Sequence, residues 1–256
     1  MMKRILVSFG MIAAMCLPQV AQADRFPDGY SAARKEMNAL GDKALAGDAA
    51  ALKALQDAAR NCADTYRCPA YSDVTWRGAA AATNLGWLYW SKEAFGADQK
   101  RKGMAYFAQA ALLGSPQGLY QVGDCMRDDC LPANVQAVAF GEIFKAGSYK
   151  PFFGGRYEHL KAVSAVFGQA ADRGLVAAAV EKTKVDNQLV GMARNVMKDR
   201  DRRTAAIYSH LNGIIDVSLV GLAAAPSAKE RDFLEIALSN ARAQVSQVDA
   251  EVPAAQ

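Results

Sequence analysis

Strand signals are nearly missing from this chain. No run of alternating Val, Ile and Thr is punctuated by hairpin turns, which excludes an all-β architecture. Glycine (20) and proline (8) are too sparse among 256 residues for a collagen-like or linker protein. A dense charge of one sign is lacking too. The formal net charge is +4, which excludes the strong positive field that nucleic-acid binding exploits. Beyond residue 17 no apolar run reaches the ~18 residues that a bilayer span needs, so stable membrane insertion is not expected. Residues 211–225 form the most apolar late stretch, but it carries Asp216 and stops at Pro226, as a buried helix would.

The signatures of chemistry are equally thin. There is no nucleophile elbow G-x-S-x-G, no phosphate-binding Walker loop and no G-x-G-x-x-G. Only two histidines occur, His159 and His210, and neither has a second ligand at metal spacing. Asp128–Asp129 are adjacent in a turn, which is not the geometry of a glycosidase pair. The expectation is a protein without catalytic residues, cofactor or metal.

What is present begins with an address. Met1–Met2–Lys3–Arg4 is a short basic start, Ile5–Leu17 is an apolar run of 13 residues, and Pro18 breaks it. Ala21 and Ala23 put small residues at the first and third positions before Asp24. This pattern predicts a secretory signal over 1–23, cleaved after Ala23, and a periplasmic mature chain. Cys16 raises the lipoprotein alternative, but bulky Met15 stands where a small residue is wanted. Removing the signal leaves 28 basic and 26 acidic residues.

Export changes how the cysteines read. Cys62, Cys68, Cys125 and Cys130 remain, as C-x5-C and C-x4-C. An even count in local pairs suggests disulfides in an oxidising compartment, with Cys62–Cys68 and Cys125–Cys130 the pairs whose short loops close readily. A tetrahedral zinc site is the alternative, although such sites show tighter C-x2-C spacing.

The body is dominated by alanine-rich segments with apolar residues at i, i+3 and i+4. They predict helices over 30–45, 48–61, 75–90, 98–113, 117–126, 134–146, 156–173, 176–198, 203–222 and 228–248. Asp48 is placed to cap the second, and Gly114 to end the fourth in the left-handed conformation. The short glycine-rich connections suit stacked helical hairpins. The alternating run 198–203 reads as a solvated connection, and 249–256 as a flexible tail. Internal similarity supports a repeat. Leu85–Gly86–Trp87–Leu88–Tyr89 returns weakly around Gly123, 37 residues later. The ending Ala110–Ala111–Leu112–Leu113–Gly114 returns as Ala170–Ala171–Asp172–Arg173–Gly174, and a related piece is Ala44–Leu45–Ala46–Gly47.

The pattern A-x-x-x-L-G-x-x-Y, a glycine–aspartate loop and a helix ending A-A-x-x-G resemble the Sel-1-like repeat, a relative of the tetratricopeptide repeat. The match is best over 79–126 and weaker over 33–59 and 135–174. The resemblance implies an all-α fold, an α-solenoid of stacked antiparallel helical hairpins over 24–248, whose usual work is holding another protein. Exported members of this kind include immunity proteins that neutralise antibacterial type VI effectors, among them phospholipases. An envelope scaffold and a cell-wall or β-lactam hydrolase are the alternatives.

Two clusters are candidate partner-binding residues. Residues 145–157 break the helical rhythm and gather Tyr149, Phe152, Phe153, Arg156 and Tyr157. Aromatic and arginine side chains dominate binding hot spots, although the two phenylalanines equally suit a core plug. Trp87 and Trp90, three apart on one helix face, are the second cluster. Packing between helices is the competing role there, as for Tyr71 and Trp76.

Overall fold

The computed structural model describes residues 28–62, 72–91, 98–145 and 155–251. The segment 1–23, Cys68, Tyr71, Tyr149, Phe152, Phe153 and residues 252–256 lie outside the described residues. Within them the chain is all-α, with ten helices and no strand. These are α1 Asp28–Leu45, α2 Ala49–Asn61, α3 Asp73–Ser91, α4 Gln99–Leu112, α5 Pro116–Arg127, α6 Ala133–Lys145, α7 Gly155–Asp172, α8 Val176–Val196, α9 Arg200–Ala223 and α10 Ala228–Glu251.

The helix ends follow from local chemistry. Asp48 accepts the Ala50 and Ala51 amides at 2.8 and 3.1 Å, satisfying donors that the first turn of α2 leaves without helical partners. Ser115 does the same for α5, accepting from the Gly118 amide at 3.1 Å, with Pro116 directly after it. The three related sequence endings adopt one turn. Gly47, Gly114 and Gly174 have φ of 103, 95 and 84°. Their amides donate to Ala44, Ala111 and Ala171 carbonyls, and the next amides reach back to Lys43, Ala110 and Ala170. This is the Schellman closure, which needs a left-handed residue and therefore favours glycine.

Two expectations about helix limits are corrected. The run 198–203 is mostly helix, not connection: Asp199 accepts the Arg202 amide at 2.8 Å and starts α9 at Arg200. At the other end α10 continues to Glu251, past the expected limit at 248, and the Tyr208 hydroxyl donates to Asp249.

Most helices pack on those one or two places away in the chain, and α6 lies against α4. α3 lies against α1, α2 and α4; α4 and α7 both lie against α5; α8 lies against α7, α9 and α10. The buried side chains form three successive clusters. The first joins Tyr30, Met37, Leu55, Trp76 and Leu85 of α1–α3. The second gathers Phe107, Leu119, Met126, Phe140, Phe167 and Leu189 of α4–α8. The third joins Val190, Ala193, Leu211 and Ile214 with Ala237 and Ala241 of α10. α4 contributes to the first two clusters and α8 to the last two, so each of these helices is apolar on two sides. α9 is long and apolar enough by composition to cross a membrane. It instead buries Leu211, Ile214 and Val217 between α8 and α10 and leaves Asp216 exposed.

Close approach depends on missing side chains. A Cβ on Gly86 would lie 2.6 Å from the Phe107 ring, and one on Gly123 would lie 2.9 Å from the Phe167 ring. The two glycines that the internal repeat pairs thus each receive a phenylalanine from a following helix. Cys125 and Cys130 are joined by a disulfide, with Cα atoms 4.7 Å apart, closing the turn after α5. Cys62 is also disulfide-bonded, and its expected partner Cys68 lies outside the described residues.

Gly86→Ala is expected to lower unfolding free energy by about 1–2 kcal/mol, the overpacking cost outweighing the gain in helix propensity. Gly191→Ala, whose Cβ meets nothing within 4 Å, should be neutral or stabilising. Urea denaturation of both variants checks the contrast. The Cys125→Ala/Cys130→Ala double variant should lose about 2 kcal/mol relative to the oxidised chain, the loop-entropy value for so short a closure.

Candidate functional site

The exposed chemistry concentrates on the α3–α4 pair. Trp87 is 45% exposed although its ring meets Phe107 edge-on at 5.3 Å between centroids. One turn on, Trp90 is half-buried and packs against the second cluster, with Lys100 Nζ 5.7 Å from its ring centroid. Tyr89 stacks on Tyr106 at 5.5 Å, and Lys102 Nζ stands 6.0 Å from the Tyr89 ring. The structure thus splits the tryptophan pair: Trp90 is largely a packing residue, while Trp87 is offered to solvent. Trp76 is buried, edge-on to Tyr30 at 5.3 Å, and is part of the core.

The electrostatics of this pair run against helix stability. Lys100, Arg101 and Lys102 are exposed in the first turn of α4, which holds no acidic residue, and Asp98 makes no side-chain capping bond. Positive charge at the positive end of a helix dipole costs about 0.3–1 kcal/mol per residue. Lys100 and Lys102 are nonetheless used locally, over the Trp90 and Tyr89 rings, and the acidic Asp98 stands at the N-cap.

Arg156 and Tyr157 sit elsewhere, at the start of α7. α7 packs on α5, α8 and α9, not with the α3 face. Arg156 is exposed. Tyr157 is turned inward instead of lining a loop: its hydroxyl meets His210 Nε2 at 2.7 Å and its ring lies edge-on to the imidazole. It joins α7 to α9.

Around that joint lies a polar cluster that the sequence did not reveal. Ser164 donates to Asp186 Oδ1 at 2.6 Å and accepts from Lys182 Nζ at 3.1 Å, while Lys182 and Asp186 form an ion pair. His210 Nδ1 lies 3.8 Å from Asp186 Oδ1. A lysine beside a serine invites comparison with a catalytic dyad. Here Ser164 is 6% exposed and Asp186 1% exposed, and the serine proton is committed to the carboxylate. The geometry is that of a closed joint between α7, α8 and α9. Burial, reinforced by Lys182 and Lys161, lowers the His210 pKa against the opposing pull of Asp186, which favours the neutral imidazole beside the Tyr157 hydroxyl. The only sequence signal was the i, i+4 spacing of Lys182 and Asp186 within an apolar helix.

A second polar joint ties α5 to α8. Arg127 donates to Asp124 at 2.6 Å, to Asp128 at 2.8 and 3.0 Å, and to Glu181. His159 is hydrogen-bonded at 2.8 Å to the Met126 carbonyl oxygen. Among the described residues, no group of three His, Cys, Asp or Glu side chains is placed to hold a metal ion.

No family model, curated protein or solved structure matches this chain.

The His210 joint generates a pH prediction. Its folded pKa lies below the ordinary ~6.5, so the unfolded chain binds the proton first. The stability owed to the neutral joint is complete above that value and falls as pH drops below it. His210→Phe should flatten this dependence between pH 7.5 and 5.5, measured as the shift of the urea midpoint. Equal slopes for both proteins would refute the assignment.

Proposed function

We propose that this chain is an exported, non-enzymatic protein-binding module, built as an α-solenoid of Sel-1-like helical hairpins. Most concretely, it acts as a periplasmic immunity protein that captures a secreted antibacterial toxin, with a phospholipase effector of type VI secretion as the leading candidate. Support for the solenoid comes from the packing of most helices on those one or two places away, three glycine turns of one kind and the paired Gly86–Phe107 and Gly123–Phe167 contacts. Support for the location comes from the basic, apolar and small-residue pattern of 1–23.

One observation carries the binding reading: a tryptophan nearly half exposed on α3, one turn from a second tryptophan whose ring Lys100 of α4 overlies. Tryptophan is among the commonest binding anchors, and exposed lysines steer an oppositely charged partner more than they hold it. The partner chemistry that fits is an apolar pocket rimmed by carboxylates, which would cover Trp87 and neutralise Lys100, Arg101 and Lys102.

The test is a binding titration of the purified mature chain with candidate periplasmic phospholipase toxins, alongside growth competition of a deletion strain against toxin-delivering sister cells. Trp87→Ala should weaken the complex by tenfold or more without altering helicity. Lys100→Glu/Lys102→Glu should slow association and reduce its salt dependence, while raising thermal stability by a few tenths of a kcal/mol through the helix dipole. A merely structural role for these lysines predicts lower stability instead. If no candidate toxin binds, and deletion leaves cells as resistant as before, the immunity reading fails.

A further inference from the structure

A second surface, where α8, α9 and α10 meet, has different chemistry. Arg200, Arg203, Thr204 and Ile207 fall at i, i+3, i+4 and i+7 on α9 and therefore share one face. Arg194 joins them from the last turn of α8, and Gln247 and Val248 join them from near the end of α10. Together they enclose a cavity of about 420 Å³, within the range of ligand pockets. Among the described residues, three guanidinium groups line it and no carboxylate does.

The nearby carboxylates lie outside the lining: Asp199 caps α9, accepting the Arg202 amide, Asp201 stands in the first turn of α9, and Asp249 accepts the Tyr208 hydroxyl. Arg194 is held in place by a 2.8 Å bond from its Nη2 to Gln244 Oε1, a neutral partner. Among the described residues neither Arg194 nor Arg203 makes an ion pair. Arg200 and Arg203 stand at the start of α9, the end that Asp199 caps. Ile207 and Val248 give the cavity an apolar side, and the Thr204 hydroxyl gives it a neutral donor.

The geometry points to a binding site for a phosphoryl group carried on a small, partly apolar molecule. Guanidinium forks match the oxygens of a phosphate in bidentate fashion, and Arg194 with Arg203 suits an anion of two negative charges better than a single carboxylate. A phosphorylated solute and a phosphomonoester lipid headgroup share this chemistry. The site lies apart from Trp87 and does not depend on the protein-binding role.

The experiment is calorimetric titration of the full mature chain with pyrophosphate at low salt, with a parallel sedimentation assay on phosphatidic acid vesicles and phosphatidylcholine controls. Saturable 1:1 pyrophosphate binding is expected, weakened about tenfold or more by Arg203→Gln and by Arg194→Gln. Arg34→Gln on α1 should leave it unchanged. Arg203→Lys, which keeps the charge and loses the fork, should fall between wild type and Arg203→Gln and guards against a folding artefact, with helicity followed by circular dichroism. Sedimentation with phosphatidic acid alone that is lost in Arg203→Gln assigns the site to a lipid headgroup; pyrophosphate binding without sedimentation assigns it to a soluble ligand. No saturable binding of either probe, or equal affinity in wild type and Arg203→Gln, overturns the proposal.

Discussion

Helices that must be apolar on two sides face a geometric problem, because side chains large enough to fill one interface hold the neighbouring backbone away at the other. Here the contact of a bare glycine with a phenylalanine ring resolves it. Gly86 admits Phe107, and Gly123 admits Phe167, close enough that even one methyl group would collide. With the α3 and α4 backbones drawn together, α4 serves two apolar clusters, and the clusters follow one another along the chain. Dispersion and apolar burial fall off within a small gap, so these contacts govern much of what the neighbouring residues contribute.

Polar joints then fix which helix faces which. The Ser164–Lys182–Asp186 cluster with His210 and Tyr157 locks α7, α8 and α9, and Arg127 bridges α5 to Glu181 of α8. Tyr30 plays a similar part at the other end. Its hydroxyl lies 3.1 Å from Ser115 and donates to Gln117 at 3.0 Å, tying α1 to α5. Buried groups of this kind add little net stability when satisfied but strongly disfavour any packing that leaves them bare.

The fold class was legible because helix periodicity, caps and glycine stops are local properties. Asp48, Ser115, Gly114 and Gly174 each act through bonds to residues at most five positions away, and the helix limits match the structure to within a few residues. The exceptions share that logic. Asp199 was hidden among the alternating charges, and its capping bond converts an apparent connection into helix. The candidate site was less legible, since partners across helices leave no trace in spacing. His210 looked isolated until α7 brought Tyr157 to it, and Tyr157 looked like a loop residue until it turned inward. Arg200 and Arg203 lie one turn apart on α9 and Arg194 reaches the same cavity from α8, but that Gln247 and Val248 of α10 complete it has no trace in spacing.

Interfaces between helices that follow one another closely also bear on how the molecule is made. Loops that bring such partners together are short, and short closures are quick. Nothing in the first apolar cluster waits for α7 to α10. A chain threading end-first out of a narrow channel can therefore begin to exclude water around Tyr30, Leu55 and Trp76 while its last hundred or so residues are still in transit.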